Sequence, residues 1–472
     1  MFIRTVDTKS GGKTHRYLRV VENYRDNGKI KQRVLWNLGN LDKIRHKLPG
    51  LLKSLGNHSG ERLVSLKGLR VEATKEYGNI LLLRSLWNRR GIGGILDRNK
   101  TAERMRPYLM TATFYHLLNP SGRPPLTEWL DRVYIPELTG TSRPGKVRLT
   151  KRFFGLLEYL GRNDKGEGLR IISKAARIGP VDFCYIIRLR MNALGVHSKP
   201  LRRKEPLLAI LARGGVPWAY GVYDGKIPLA FVQDMLADNR LGQNLKRKKT
   251  LFVTRGQTIG NGITNFFNRE GIPYTAFVST RDKRGTKRPV YGIGRGYVAH
   301  GVKTNGKKGP WVYVFSKKSL IKKATHSLGK GPVEFAIKTN MAKRAFLTKA
   351  IKARRELIRQ EGFFGDIMVP AGVLSKANYK KGYVLVCLLT YLLLRDLDRG
   401  LSRTRAGHRF TPLGLLDKLK DVKLVTNVVS GRRLNCVTKI PRQTRELFRA
   451  FDVKIPRASL HIRDDGGVTQ PV

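Results

Sequence analysis

The sequence predicts a mixed α/β protein of several domains, and three observations carry that expectation. Short apolar runs of strand length, among them Asp182–Leu189 (DFCYIIRL), Leu207–Ala212 (LLAILA) and Trp218–Tyr223 (WAYGVY), lie between turn residues. Longer stretches such as GNILLLRSLWNRRGI repeat apolar residues at helix spacing. The chain is also long and apolar enough to bury real cores, with 472 residues, 41% of them hydrophobic, and 18 Phe, 17 Tyr and 5 Trp. That content excludes a chain disordered throughout, and the length suits about three domains of ~150 residues.

Taken in order, residues 2–6 and 16–24 alternate as strands, and Asp26-Asn27-Gly28 is a hairpin turn signal before the returning strand KIKQRVLWNLG. Residues 1–56 therefore form a small basic β-hairpin unit closed by a short basic helix over 41–56. Residues 73–175 read as a helical domain. Ile80, Leu83, Leu86 and Trp87 recur at helix spacing up to Gly91, RMRPYLMTATFYHLL ends at Asn119-Pro120-Ser121-Gly122, and TKRFFGLLEYLGR begins a third helix.

The three short strands from Asp182 to Tyr223 then give way to a helix-like PLAFVQDMLADNR. A strand LFV (251–253), a helix near 261–269 and a strand YTAFVS (274–279) follow. Three strands, helix, strand, helix, strand is the order of a ribonuclease H-like mixed sheet core, expected over 176–280 and 360–400. Residues 281–355 are a basic insertion with one clear strand, WVYVFS (311–316). The apolar run Tyr383–Leu394 is too short for the ~20 residues a membrane span needs and reads as a core helix. Residues 401–472 form an α+β extension with a helix at 413–420, strands at 422–429 and 434–440, and a polar tail.

Charge is the second constraint. Lys and Arg number 93 against 34 Asp and Glu, a net +59, and every fifty-residue block from 1 to 450 is net positive. A uniformly basic body calls for a polyanion, and nucleic acid is the abundant one. A membrane surface would call instead for one concentrated basic amphipathic segment. Cys184, Cys387 and Cys436 stand far apart without a CxxC pair, so neither a disulfide framework nor a zinc ribbon is signalled, and a reducing compartment follows. No signal-peptide core occurs in MFIRTVDTKSGG, which makes the expected location cytoplasmic, at the nucleoid or the ribosome.

The opening string MFIRTVDTKSGGKTHRYLRVVENYRDNGKIKQRVLWNLGNLD resembles the start of prokaryotic insertion-sequence transposases with a DDE core. The resemblance continues through Tyr77-Gly78 with Leu86-Trp87, YHLLNPSGR (115–123) with Trp129-Leu130, and REGIPYTAFV (269–278). It implies a core on which three carboxylates hold two divalent metals that activate a water or a DNA 3′ hydroxyl. Carried onto this chain, the first carboxylate falls on Asp182. The second position, within Phe252-Val253-Thr254-Arg255-Gly256, is Thr254. The third should sit in a helix before the apolar run, yet between Asp366 and Asp396 there is no acidic residue. Two of three ligands are thus expected to be missing, with Asp182 a remnant, and that glutamate helix is expected to be lost. From Arg240 to Arg355, 28 Lys and Arg face three carboxylates, Glu270, Asp282 and Glu334, which suits a phosphate backbone better than a cation site.

Other motifs are weaker. Gly301-Val-Lys-Thr-Asn-Gly306-Lys307-Lys308 lacks the Ser/Thr of a P-loop, GIGRG (292–296) stands alone, Asp224 reads as a turn residue and Glu270 as solvated surface. The expected nucleic-acid contacts are Arg16, Arg19, Arg25, Lys29, Lys31 and Arg33 in the hairpin unit. Beyond it they are Arg202, Arg203, Lys204, Lys246, Arg247, Lys248, Lys249, Arg281, Lys283, Arg284, Lys287, Arg288, Lys307, Lys308, Lys317, Lys318, Lys322, Lys323, Lys343 and Arg344. Tyr291, Tyr297, Trp311 and Tyr313 could stack on bases or pack on a core.

The expectation is a transposase-derived, catalytically inactive nucleic-acid-binding protein without metal or cofactor. Its partner would be DNA or a structured RNA such as ribosomal RNA, with a dimer or partner subunit possible and no membrane. The alternative is an active or partner-dependent DNA transposase that binds transposon ends and uses Mg.

Overall fold

The computed structural model describes residues 2–59, 70–96, 100–139, 146–163, 167–176, 183–193, 207–213, 215–223, 229, 233, 250–255, 261–278, 290–293, 297–303, 311–317, 335–341, 344–403, 409–429, 432–455 and 459–460. Two units divide the chain: Met1–Glu72 with Thr426–Leu434, and Ala73–Val425 with Asn435–Val472.

In the first unit, β1 (Phe2–Ser10), β2 (Lys13–Asp26) and β3 (Lys29–Asn40) form an antiparallel meander in the order β1-β2-β3. Asn27 and Gly28 both take positive φ, 47° and 77°, which is the backbone a two-residue hairpin between right-twisted strands requires. Asn40 then caps a helix over Leu41–Ile44 by accepting from the Asp42 amide at 2.9 Å. The single helix expected over 41–56 is instead two, because the chain turns at 45–47 before resuming at Leu48–Ser59. Strand β4 (Arg70–Glu76) was not foreseen from the sequence.

The second unit is built on a nine-stranded sheet. Its strands are β5 (Phe183–Arg188), β7 (Leu207–Arg213), β8 (Val216–Tyr223), β9 (Leu251–Arg255), β10 (Tyr274–Val278), β11 (Val290–Ile293), β12 (Tyr297–Lys303), β13 (Trp311–Lys317) and β14 (Phe335–Thr339). A separate short strand, β6 (Met191–Ala193), pairs in parallel with β15 (Ile367–Val369). The order in the large sheet is β11-β12-β13-β14-β10-β9-β5-β7-β8. At its centre β5, β9 and β10 run parallel, with Ile186 opposite Thr254 and Ala276 opposite Thr254 on the other side. The remaining neighbours of this sheet for which the pairing is described are antiparallel.

The central strands are buried on both faces, which is why FCYII and LFVT read as continuous apolar runs rather than as alternation. The basic segment 281–355 holds more order than one strand. Four strands extend the sheet antiparallel, and residues 344–364 form a 21-residue helix. Tyr313 of β13 is buried, so of the two roles open to it, core packing is the one it takes.

One hydrophobic core gathers side chains from Tyr77 to Val453. Its axis is the helix Ala377–Ser402, buried along almost all of its apolar length and packed against the helices Lys100–Leu118 and Lys146–Arg162. Glycine sets one approach: a Cβ at Gly382 would overlap the Leu157 carbonyl oxygen. The helix Pro412–Leu419 starts with Thr411 accepting from the Gly414 amide at 3.1 Å and Pro412 in the first turn. The expected polar C-terminal tail contains a further amphipathic helix, Arg442–Ala450, whose Leu447 and Phe448 are buried. Among the described residues no helix is long and apolar enough to cross a membrane.

Candidate functional site

Two places bear on function: the carboxyl ends of β5 and β9, and the basic meander of the first unit. At the first, the parallel pairing sets Thr254 beside Ile186, and the Thr254 hydroxyl donates to the Ile186 carbonyl at 3.0 Å. Thr254 is buried, so its side chain is committed to joining the two strands.

The next residue, Arg255, is exposed and reaches a glutamate-bearing helix. Arg344–Phe364 packs on β5 and β9 and carries two glutamates, Glu356 and Glu361. Arg255 Nε donates to Glu361 Oε1 at 2.8 Å and Nη2 to Oε2 at 2.8 Å. This forked pairing raises the Arg255 pKa above its ordinary value. This helix lies upstream of the segment in which the third carboxylate is expected, where only the short strand Ile367–Val369 and a 3-10 turn at Ala371–Ser375 precede the apolar helix. A signal for it existed, since buried Leu347, Ala350, Ile351, Leu357 and Phe364 recur at helix spacing.

Farther into the same helix, Glu356 is buried. Tyr391 Oη donates to its Oε1 at 2.7 Å, and Arg395 Nη2 lies 3.8 Å from Oε2. Burial raises the Glu356 pKa despite these partners. Beyond the strand ends, Asn192 donates to Asp366 and the Ile367 amide donates to the Arg190 carbonyl at 2.9 Å.

The described end of β9 offers a buried hydroxyl already used by Ile186, a guanidinium, and one carboxylate held by that guanidinium. Among the described residues no group of three or more His, Cys, Asp or Glu could hold a metal ion. Asp182 lies outside the described residues. Its neighbour Phe183 pairs with Leu251, three residues short of Thr254 along β9.

The second place is the meander, whose opposed residues share a face. Toward one face point Asp7 with Arg16, Glu22 with Arg33, and Asp26 with Lys29. Toward the other point Arg4 with Arg19, Asn23 with Gln32, and Arg25 with Ile30. All three carboxylates of residues 1–40 thus stand on one face. There Arg16 meets Asp7 at 3.4 Å, Arg33 meets Glu22 at 2.7 Å and Lys31 meets Asp26 at 2.6 Å. Arg33 also lies over the Tyr24 ring, 5.6 Å from its centroid.

On the carboxylate-free face, Arg4 Nη1 donates to Gln32 Oε1 at 2.7 Å and Gln32 Nε2 to Asn23 Oδ1 at 2.9 Å. Of the six basic residues expected here, Arg16, Lys29, Lys31 and Arg33 therefore share the acidic face, and Arg19 and Arg25 the other. Arg4 and Lys13 belong with the latter and were missed, because only the register shows which residues share a face.

Of the remaining expected contacts, Lys317 ends β13 and Arg344 begins its helix. Arg202, Arg203, Lys204, Lys246, Arg247, Lys248, Lys249, Arg281, Lys283, Arg284, Lys287, Arg288, Lys307, Lys308, Lys318, Lys322, Lys323 and Lys343 lie outside the described residues, as do Asp224 and most of the helix-like 228–240 segment. Glu270 is exposed and pairs with Arg269 at 3.0 Å, the surface role expected of it.

Residues 3–67 match the IS1634 family transposase N-terminal domain, a span that takes in the meander from Ile3 onward. No curated protein matches the chain. Among solved structures, a piggyBac transposase synaptic complex with hairpin DNA, determined by cryo-electron microscopy, is similar to it. That likeness has 11% identity and a TM-score of 0.33 and covers 83% of this chain and 88% of that one.

Proposed function

We propose that this is a transposase-derived, DNA-binding protein that holds duplex DNA without cutting it. The observation that carries the reading is the end of β9, where Thr254 stands in the place expected of a metal-bridging carboxylate and Glu361 is bound by Arg255. A ribonuclease H-like core is supported by the order β8-β7-β5-β9-β10, with the last three parallel and the first two antiparallel. On that scaffold a net charge of +59 provides attraction to phosphate. The transposase-family N-terminal domain favours DNA over a structured RNA as the partner.

A second reading, an active transposase, draws on the Glu361 carboxylate beside the strand ends. The two separate on one test. The full chain is incubated with labelled duplex DNA and Mg²⁺ or Mn²⁺, and the strands are resolved under denaturing conditions. Salt-sensitive binding with intact strands is expected; nicked or joined strands would restore the second reading.

A further inference from the structure

Beyond the end of β1, where Phe2 pairs with Val21, the hairpin continues as a two-stranded ribbon of Glu22–Asp26 against Lys29–Arg33. At ~3.4 Å per residue the ribbon projects about 17 Å. Its two faces differ in charge. One carries Glu22, Asp26 and their basic partners. The other carries Asn23, Arg25, Ile30 and Gln32, joined farther back by Arg4, Arg19 and Lys13.

We propose that the carboxylate-free face is a docking surface for duplex DNA, with Asn23, Arg25 and Gln32 turned toward base edges in the major groove and Lys13, Arg4 and Arg19 toward the phosphates. This rests on the DNA-binding reading above and names the surface that performs it.

Four features support the assignment. The face presents four cations and no carboxylate, so nothing on it repels a phosphate. Arg, Asn and Gln are the side chains whose paired donors and acceptors match purine edges, and here Arg4, Gln32 and Asn23 are held in place by hydrogen bonds to one another. Lys13, Arg4, Asn23, Arg25 and Gln32 are all exposed. A ribbon of two strands fits the major groove of B-form DNA, whereas the deep, narrow major groove of A-form RNA does not admit it.

The test compares full-length variants of equal charge change. Lys13→Ala/Arg19→Ala/Arg25→Ala removes three of the four cations from the carboxylate-free face. Arg16→Ala/Lys31→Ala/Arg33→Ala removes three cations from the other face. Because Arg19 is half-buried, a pair that spares it, Lys13→Ala/Arg25→Ala, is measured beside Arg16→Ala/Lys31→Ala, with circular dichroism as a check on folding. Duplex affinity at fixed salt is expected to fall on the order of 10- to 100-fold in the first triple variant, with a shallower salt dependence, and several-fold less in the second.

Equal losses from both faces would overturn this surface while leaving duplex binding itself intact. Wild-type protein that ignores duplex DNA but binds a structured RNA would overturn both the surface and the DNA reading.

Discussion

At the end of β9 each polar side chain acts through a partner. Thr254 secures β9 to β5, and Arg255 occupies Glu361. Elsewhere single residues hold the core in ways open to direct test. His116 is buried with its Nδ1 3.2 Å from Tyr383 Oη, and burial lowers its pKa from 6.5 to about 4. The folded chain thus keeps this imidazole neutral where the unfolded chain would protonate it. Its contribution is complete above pH 6.5 and is lost as pH falls toward 4, on the order of 3 kcal/mol in all. Urea unfolding across that window should show stability falling with pH more steeply in the wild type than in His116→Gln.

Arg90 gives a second residue-scale expectation. It is buried and donates to both oxygens of Asp396, at 2.5 and 2.6 Å, and to the Ala175 carbonyl at 2.6 Å. Asp396→Ala leaves that guanidinium without its counter-charge and should cost about 3–5 kcal/mol. The measurement is denaturant unfolding of Asp396→Ala, Arg90→Ala and the double variant, with the double losing much less than the sum of the singles.

Elements show how much of the fold could be read in advance. The helices around Leu83, Phe114 and Leu388 were legible because a 3.6-residue period leaves a strong imprint on long apolar segments. The central strands β5, β9 and β10 were legible as short apolar runs between turns. The strands of the basic segment were not. β11 and β12, with Gly292, Gly301 and Lys303, offer little alternation, and their pairing partners supply the order. The helix Arg344–Phe364 was hidden by its many charges, and with it Glu361, so the candidate site was only half visible.

In the meander, β3 shifts register opposite Leu18–Arg19 and Val20–Val21, so counting alternate residues along it misplaces side chains between faces. Helix packing at the core is likewise set by contact rather than by period. Gly382 allows the helix Ala377–Ser402 to approach the Leu157 carbonyl. Gly382→Ala should therefore lower stability by about 1–3 kcal/mol despite the better helix propensity of alanine, read as a lower midpoint in thermal unfolding.

At the scale of the whole molecule, 93 cations against 34 carboxylates leave a body that gains by meeting a polyanion. The first unit carries a carboxylate-free face, and in the second Thr254 bonds β5 while Arg255 bonds Glu361. Binding without cleavage is tested by titrating the full chain against labelled duplex DNA in Mg²⁺ over a series of salt concentrations, with the strands then resolved under denaturing conditions. The expected result is an association constant that falls steeply with salt and strands that remain whole at every point. Strands nicked or joined in proportion to the DNA bound would contradict it.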